Sequence, residues 1–437
     1  MWPAMDTAAG QPPCRALPCS PMRPRSLAAV CVLAAGLAAV GCLHRPTTVT
    51  RVDVHVAVVP PPVAIAVGAP DPSGPEDPPG DPGRGGTGAL PCADAFGRVA
   101  PVVGVAVSEG ETCTRHAGGG VCCWGAWIPG QPGDDRGRSR PVRVTGLPAA
   151  TALGLGEGHA CALDGGGRVH CWGDGRMGQM GDGGRTPRAA PAPVLGLPEV
   201  DALAVGQWHA CARTVDGTVR CWGGNLRGPT GIEADVFVPR AVDGVDHVAA
   251  LSAGVSSCAV TADGAVECWG DGGADFYRNR GRHGYAVYPI PELRGVTQVA
   301  FGYGDGAPRD DLACARMRDG AVWCWLGPYG APRRVDGVRE VTAVSVGGGH
   351  ACALRRDGKL WCWGDNDRGQ LGDGTTVPRT RPTEVPGVAE VVEVATASDH
   401  TCALRRDATL WCWGANERGQ LGDGTRTGRP AAVAVRW

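Results

Sequence analysis

HACALRRDGKLWCWG, residues 350–364, is the clearest copy of a hairpin motif that recurs along the chain, and HTCALRRDATLWCWG, residues 400–414, is a second. In each copy two cysteines stand ten positions apart, with a turn between them and a tryptophan after the second cysteine. A motif that returns at a regular interval predicts a repeat architecture. The same spacing occurs seven times, in the pairs Cys113 and Cys123, Cys161 and Cys171, Cys211 and Cys221, Cys258 and Cys268, Cys314 and Cys324, Cys352 and Cys362, and Cys402 and Cys412.

The composition agrees with a β-rich chain. Among 437 residues, 70 are Gly and 37 are Pro, and helix-period apolar patterns are nearly absent. Many turn residues between short apolar segments favour an all-β fold. The formal charge is -2, with Lys and Arg spread along the chain, so no basic stripe indicates a nucleic-acid partner.

The hairpin geometry accounts for the paired cysteines. If Cys352 faces Cys362, a three-residue loop remains, with Gly358 at the position that requires the left-handed conformation. The equivalent residues are Gly119, Gly167, Gly217, Gly264 and Gly320, whereas the seventh repeat has Ala408. Opposed residues on antiparallel strands lie ~4.5–5.5 Å apart, within the range that a disulfide spans. The pairing predicts seven disulfides and an oxidising compartment. Cys92 and Cys122 form a candidate eighth pair.

A metal site is the competing interpretation, since His159 lies two residues before Cys161. A facing pair supplies only two sulfur ligands, whereas zinc takes four ligands. Three repeats replace the histidine by Glu111, Ser256 and Leu312 while both cysteines stay. We therefore expect disulfides, no metal and no cofactor.

One repeat contains four strand-like segments. In the sixth repeat these are residues 340–346, 350–355, 359–364 and 381–388, with a polar, Gly-rich arm before the last. Four short strands in about fifty residues, repeated seven times, predict a seven-bladed β-propeller of four-stranded blades over residues 92–437. The predicted repeats cover about 99–147, 148–197, 198–246, 247–296, 297–339, 340–388 and 389–437. If repeats straddle blades, residues 99–107 and 431–437 meet and close the ring.

Residues 344–375 and 394–425 resemble the regulator of chromosome condensation repeat, a family of seven-bladed propellers, and the paired cysteines resemble those of its exported bacterial members. The arm with the G-Q-L-G pattern is full at residues 369–372 and 419–422 and nearly full at 178–181. It is reduced at 228–231 and lost in the fourth and fifth repeats. Nuclear nucleotide exchange on a small GTPase does not carry over, because an exported protein would not meet that partner.

The start of the chain has the pattern of an export signal. Arg23 and Arg25 precede a short apolar run, and Ala39 to Cys42 resembles the box at which bacterial lipoproteins are cleaved and lipidated on cysteine. We expect a signal peptide over 1–42, with 1–21 an upstream extension before a start at Met22. Residues 43–91, rich in Pro and Gly, read as a tether. Leu43 after the cysteine favours a membrane-anchored lipoprotein of the outer membrane or cell surface.

No catalytic motif is present, and the repeated His159, His209, His350 and His400 read as structural residues, so we do not expect an enzyme. The repeat pattern is most disturbed in the fourth and fifth repeats. The candidate binding loop there comprises Phe276, Tyr277, Arg278, Arg280, Arg282, Tyr285, Tyr288 and Tyr303. The sequence predicts a monomeric cell-envelope module that binds a protein or glycan partner. The alternatives are an envelope hydrolase or lyase with its site at the channel mouth, and an enzyme inhibitor.

Overall fold

The structure is a computed structural model. The residues described are Cys92 and residues 98–126, 137–225, 235–270, 287–302, 312–327 and 330–437. They all belong to the second of two compact units of the chain, residues 64–437. The predicted signal peptide, Cys42 and the whole predicted tether lie outside the described residues.

The described residues form seven antiparallel sheets, each of four strands that are consecutive in the sequence. These sheets are the blades, and the all-β, seven-bladed propeller prediction is confirmed. Blade 1 contains β1 (Val102–Ser108), β2 (Glu111–His116), β3 (Val121–Gly125) and β4 (Arg138–Arg143), and blade 2 contains β5 (Ala150–Leu155), β6 (His159–Asp164), β7 (Val169–Gly173) and β8 (Arg188–Pro193). Blade 3 contains β9 (Val200–Val205), β10 (His209–Thr214), β11 (Val219–Gly223) and β12 (Val236–Ala241).

Blade 4 contains β13 (Val248–Ala253), β14 (Ser257–Thr261), β15 (Val266–Trp269) and β16 (Tyr288–Pro289), and blade 5 contains β17 (Val296–Phe301), β18 (Leu312–Met317), β19 (Val322–Leu326) and β20 (Arg333–Arg334). Blade 6 contains β21 (Val341–Val346), β22 (His350–Arg355), β23 (Leu360–Gly364) and β24 (Arg379–Glu384). Blade 7 contains β25 (Val391–Thr396), β26 (His400–Arg405), β27 (Leu410–Gly414) and β28 (Arg429–Ala434). The fourth strand shrinks to two residues in blades 4 and 5, where the repeat pattern is most disturbed.

The first strand of each blade contacts the first strands of both neighbouring blades, so these seven strands surround the axis of the ring. Fourth strands such as β8 and β20 lie at the rim and are largely exposed. None of the described residues belongs to a helix with the length and hydropathy needed to cross a membrane.

The second and third strands of every blade pair in the predicted register. Cys352 lies opposite Cys362 and Leu354 opposite Leu360, and the cysteines face each other in the same way in all seven hairpins. Hydrogen-bonded pairs alternate along an antiparallel ladder. Arg355 and Lys359 form a hydrogen-bonded pair, and Cys352 and Cys362 lie three positions further along the ladder. The cysteines are therefore a non-hydrogen-bonded pair, the type in which the Cα atoms come closest.

Seven disulfides staple these hairpins, and they are the pairs that the ten-residue spacing predicts. Their Cα–Cα distances are 4.0–4.1 Å, slightly shorter than the separation expected from sequence. These cysteines are buried except for the half-buried Cys324 of blade 5, and an eighth disulfide joins Cys92 to Cys122. The seven staples join Cys113 to Cys123, Cys161 to Cys171, Cys211 to Cys221, Cys258 to Cys268, Cys314 to Cys324, Cys352 to Cys362 and Cys402 to Cys412.

The turns of the hairpins have the backbone conformation that their residues predict. Gly358 has φ 77°, in the left-handed region that glycine adopts without strain. Ala408, which replaces glycine in blade 7, has φ 64°. An alanine at this φ is strained relative to glycine, so the turn of blade 7 is the less favourable of the two.

The conditional expectation that repeats straddle blades is wrong. Strand β28 pairs with β27 inside blade 7, and β1 pairs with β2 inside blade 1, so no described strand is exchanged at the closure. The ring closes instead by packing of β1 against β25 and β26. Trp437 adds an edge-on contact with Trp124 of blade 1, with ring centroids 5.8 Å apart. Side-chain packing replaces the shared strand because each blade already has its four strands.

The seven tryptophans that follow the second cysteines form the core between blades. Trp172, Trp222, Trp269 and Trp413 are fully buried, and the other three are nearly so. Each hydrophobic cluster draws residues from two adjacent blades, as when Met180 of blade 2 meets Trp222 of blade 3. Burying an aromatic side chain in this way contributes about 1.5–3 kcal/mol.

Candidate functional site

The two ends of the ring carry different segments. Because successive strands run in opposite directions, the turns of the cysteine hairpins lie at one end. The segments after the first and third strands lie at the other end, which we call the loop face. Residues 206–208 follow a first strand and residues 365–378 follow a third strand. Segments after third strands are the arms.

A buried asparagine organises each full arm. Asn416 Nδ2 donates to the carbonyl oxygens of Thr425 and Thr427, both at 3.1 Å, and its Oδ1 accepts from Leu421 N at 3.0 Å. Asn366 makes the same contacts in blade 6. The polar residues of this segment thus satisfy the backbone of a tight loop.

Each full arm is hydrogen-bonded to the next blade through one backbone carbonyl. Gln370 O of blade 6 accepts from the Trp413 indole Nε1 and from the Thr401 hydroxyl of blade 7, both at 2.9 Å. Gln420 O of blade 7 accepts in the same way from Trp124 and Thr112 of blade 1. We call this arrangement the arm clasp. It satisfies a buried donor of the core tryptophan, which would otherwise cost about 1–3 kcal/mol.

A glycine two residues after the glutamine makes the clasp sterically possible. A Cβ on Gly372 would stand 2.6 Å from Trp413 Nε1, and a Cβ on Gly422 would stand equally close to Trp124 Nε1. Both residues also have positive φ, 71° and 65°. The last glycine of the G-Q-L-G pattern therefore marks close approach of the arm backbone to the indole ring.

The repeated histidines complete the clasp from the other side. His350 Nε2 lies 2.8 Å from Thr401 Oγ1 and His400 Nε2 lies 3.0 Å from Thr112 Oγ1. Since each threonine donates its own proton to the glutamine carbonyl, the histidine is the donor in these pairs. Burial lowers the pKa of His350 and of His400 to about 3, so both rings are neutral. These contacts support the structural interpretation of the histidines.

Between the other blades, the described residues show only parts of the clasp. In blade 2, Gln179 O accepts from Trp222 at 3.0 Å, but Ala210 stands where blade 7 has a threonine, and both ring nitrogens of His159 are without a partner among the described residues. His209 lies 2.7 Å from the Ser257 hydroxyl, the equivalent contact between blades 3 and 4. In the described part of the chain no acceptor meets the indole nitrogens of Trp172, Trp269 and Trp325.

Two buried carboxyl groups lie near the closure of the ring. Glu111 replaces histidine in blade 1, and burial raises its pKa to about 8. Glu393 of blade 7 accepts from Val105 N at 3.3 Å, and burial raises its pKa as well. Among the described residues no group of three or more His, Cys, Asp or Glu side chains is arranged to hold a metal ion.

The loop face carries a pair of residues that the sequence did not single out. Trp208 donates its indole proton to Glu157 Oε2 at 2.9 Å across the boundary between blades 2 and 3. Trp208 is partly exposed, unlike the core tryptophans. The signal in the sequence was a bulky residue where other repeats have Gly158, Gly349 or Asp399.

Most residues of the predicted binding loop lie outside the described residues. These are Phe276, Tyr277, Arg278, Arg280, Arg282, Tyr285 and Tyr303. Tyr288 lies on β16, half-buried, and packs against the core between blades 4 and 5. At the opposite end of the ring, an open cleft of about 650 Å³ lies between the hairpin turns of blades 1 and 2. His116 on its wall is fixed by Ala100 O at 2.7 Å, and burial lowers its pKa.

Two models of the regulator of chromosome condensation (RCC1) repeat match the chain. One matches residues 166–213 and 357–404, and the other matches 150–179, 200–228, 341–370 and 391–420. The matches fall on blades 2, 3, 6 and 7, where the arm is full or partly retained. Together with the seven-bladed ring, they identify the chain as a β-propeller of the RCC1-repeat family.

The chain is similar to several solved structures. Human WBSCR16 is similar over 72% of this chain and 93% of its own, with 21% identity and a TM-score of 0.61. Prp20p from Saccharomyces cerevisiae, described with its binding to Gsp1p and histones, is similar over 77% of each chain, with 20% identity and a TM-score of 0.46. The ectodomain of the Arabidopsis thaliana receptor kinase ACR4 covers 71% of this chain and 93% of its own, with 21% identity and a TM-score of 0.44. None of the curated proteins compared with the chain matches it.

The eight disulfides indicate an oxidising environment for the folded protein.

Proposed function

We propose that the protein is exported, is held at the membrane by a lipid on Cys42, and binds a protein partner through the loop face of its propeller. One observation carries the binding proposal. Among the described residues, the clasp of seams 6–7 and 7–1, the contacts of blade 6 with blade 7 and of blade 7 with blade 1, has no counterpart around blades 4 and 5, where the sequence instead inserts aromatic and basic residues. Loops on a rigid scaffold carry function more often than the scaffold itself does.

The domain boundaries follow from the same proposal. Residues 1–42 are the signal peptide, residues 43–91 are a tether long enough to keep the propeller clear of the membrane, and the propeller acts as a monomer. The outer membrane or cell surface is the proposed location. An enzymatic role has less support, because the four repeated histidines are buried and engaged in packing between blades.

Cross-linking in intact envelopes tests the binding loop. Wild type is compared with a deletion of residues 274–286, which stops short of β16 and of the buried Ile290. A second variant keeps the loop length and changes Phe276, Tyr277 and Tyr285 to serine. We expect both variants to lose the main cross-linked protein while non-reducing mass spectrometry still finds all eight disulfides. Equal recovery of every partner by all three proteins would contradict the loop assignment.

Metabolic labelling with a palmitate analogue tests the anchor. We expect label in the wild-type protein and none in Cys42→Ala, which should also leave the membrane fraction. An unlabelled wild type, or equal label in both proteins, would refute lipidation at this residue.

A further inference from the structure

Trp208 occupies an unusual place for a tryptophan of this chain. It stands on the loop face between β9 and β10, partly exposed, beside the buried Gln207. Its indole proton is held by Glu157 Oε2 at 2.9 Å, so the ring has a fixed orientation. A partly exposed, immobilised tryptophan is typical of a residue that anchors a partner, because little conformational entropy is lost on binding.

Around Glu157, the oxygen atoms that accept hydrogen bonds outnumber the described groups that donate to them. Gln207 Nε2 donates to the same oxygen as Trp208 does, at 3.1 Å, and no described residue donates to Glu157 Oε1. Gln207 Oε1 is buried and also lacks a donor within the described part of the chain. Arg176, in the arm of blade 2, already donates to both carboxylate oxygens of Asp174. Among the described residues, no cation therefore donates to Glu157 or to Gln207 Oε1.

A flat apolar support lies beside this carboxylate. A Cβ on Gly224 would stand 2.9 Å from Met177 Sδ and 3.0 Å from Trp208 Cβ, so both side chains pack over the glycine backbone. The described segments that follow the first strands carry Glu109, Glu157 and Asp399 and no Lys or Arg. These described segments therefore carry net negative charge, which favours approach of a basic partner.

We propose that Trp208 and Glu157 form a docking site for an arginine side chain of the protein partner, an inference that rests on the proposed function. A guanidinium is planar, stacks on an indole face and carries five N–H donors that match carboxylate and amide oxygens. The chain itself uses this stacking between the second and third strands of blades 6 and 7, where Arg355 and Arg405 lie 6.0 Å over the rings of Trp361 and Trp411. A neutral glycan would stack on the ring and donate hydroxyl protons to these oxygens, but it would bring no positive charge to the Glu157 carboxylate.

Indole NMR on the full chain tests the site without knowledge of the partner. The protein carries ¹⁵N in its tryptophans, and Trp208→Phe assigns the Trp208 signal while the remaining indole signals report the fold. The probes are the blocked peptide Gly-Arg-Gly, the same peptide with neutral citrulline in place of arginine, and a chitin tetrasaccharide.

We expect the arginine peptide to shift the Trp208 signal and Glu157→Gln to weaken its affinity about tenfold, the effect of one charge-assisted hydrogen bond. Added salt should weaken binding as well. The control Glu417→Gln, which changes another exposed carboxylate of the loop face, should leave the affinity within about twofold. No shift, an equal shift with citrulline, or a shift only with the tetrasaccharide would overturn the arginine site.

The two proposals fail separately. If cross-linking in envelopes finds no partner, the proposed function fails, and the peptide titration still decides whether the site accepts a guanidinium. If partners are captured but the titration gives one of the contrary results, the docking site is wrong and the binding function stands.

Discussion

Two regions of the ring are built on the same hairpin and differ in how their blades are joined. At seams 6–7 and 7–1 a complete clasp links histidine, threonine, glutamine carbonyl and tryptophan. At blades 4 and 5 the histidine is replaced by Ser256 and Leu312, and among the described residues Trp269 and Trp325 have no acceptor. The disulfide and the buried tryptophan persist in both regions.

The difference separates what the fold requires from what it can omit. The disulfide and the core tryptophan occur in every blade, so they are the features that the fold requires. The clasp adds stability between blades, and its loss leaves buried donors that cost about 1–3 kcal/mol each. The chain tolerates this loss where its fourth strands are shortest and its loops are most irregular, which is the region that we propose for binding.

A fall in pH should have the largest effect on the free energy of unfolding. It should act through His350 and His400, the buried histidines of seams 6–7 and 7–1. Folded His350 and His400 have a pKa of about 3, whereas an unfolded histidine titrates near 6.5. Their contribution to stability is therefore complete above about pH 6.5 and is lost as the pH falls toward 3. We expect up to about 2 kcal/mol of loss per histidine between pH 7 and pH 5.

Urea unfolding at several pH values, under non-reducing conditions, measures this effect. His350→Gln should make the stability less dependent on pH over the same interval. An unchanged pH dependence in that variant would show that the buried imidazole is not the group that titrates.

Gly372→Ala should be the next largest change, because the new Cβ would meet the Trp413 indole and must also adopt a positive φ. We expect a loss of about 3 kcal/mol, from overpacking and backbone strain together. Gly374→Ala is the matched control, since this residue has φ 82° and nothing within 4 Å of the Cβ position. Equal losses in the two variants would mean that strain alone acts and that the clasp contact is unimportant.

Replacement of a clasped and an unclasped tryptophan compares the two regions directly. Trp413→Phe removes a hydrogen bond to Gln370 O as well as volume, whereas Trp269→Phe removes volume and an unsatisfied donor. The first variant should lose about 1–2 kcal/mol more than the second. Thermal or urea unfolding measures the difference, and a larger loss for Trp269→Phe would contradict it.

Ala210→Ser should give the smallest effect, and in the opposite direction. The new hydroxyl would lie at the position that Thr401 has in blade 7, where it would accept from His159 and donate to Gln179 O. We expect a gain of about 0.5–1 kcal/mol. Ala160→Ser is the control, because blade 1 offers Glu111 and no histidine at the matching place. A gain of equal size in the control would rule out completion of the clasp.

The sequence predicted the parts of this structure that depend on local geometry. The ten-residue cysteine spacing defines the hairpin register, and glycine at residue 358 and its equivalents defines the turn. The contacts between distant repeats were not predictable in the same way. Gln370 acts through its backbone carbonyl, so no side-chain pattern pointed to the clasp, and Trp208 meets Glu157 only because two blades are adjacent.

Closure of the ring shows the same limit. Strand-like patterns at both ends were compatible with a shared blade, yet each end completes its own blade. The pairing of β28 with β27 and of β1 with β2 distinguishes these two topologies.

Hydrogen–deuterium exchange of the native, oxidised protein is the most direct test of the contrast between the two regions. Amides of the hairpins in blades 4 and 5, β14–β15 and β18–β19, should exchange faster than those in blades 6 and 7, β22–β23 and β26–β27, because the latter open only when a clasp breaks. All four hairpins carry the same staple, so the disulfide does not cause the difference. Equal protection in the four hairpins, or faster exchange in blades 6 and 7, would contradict the account.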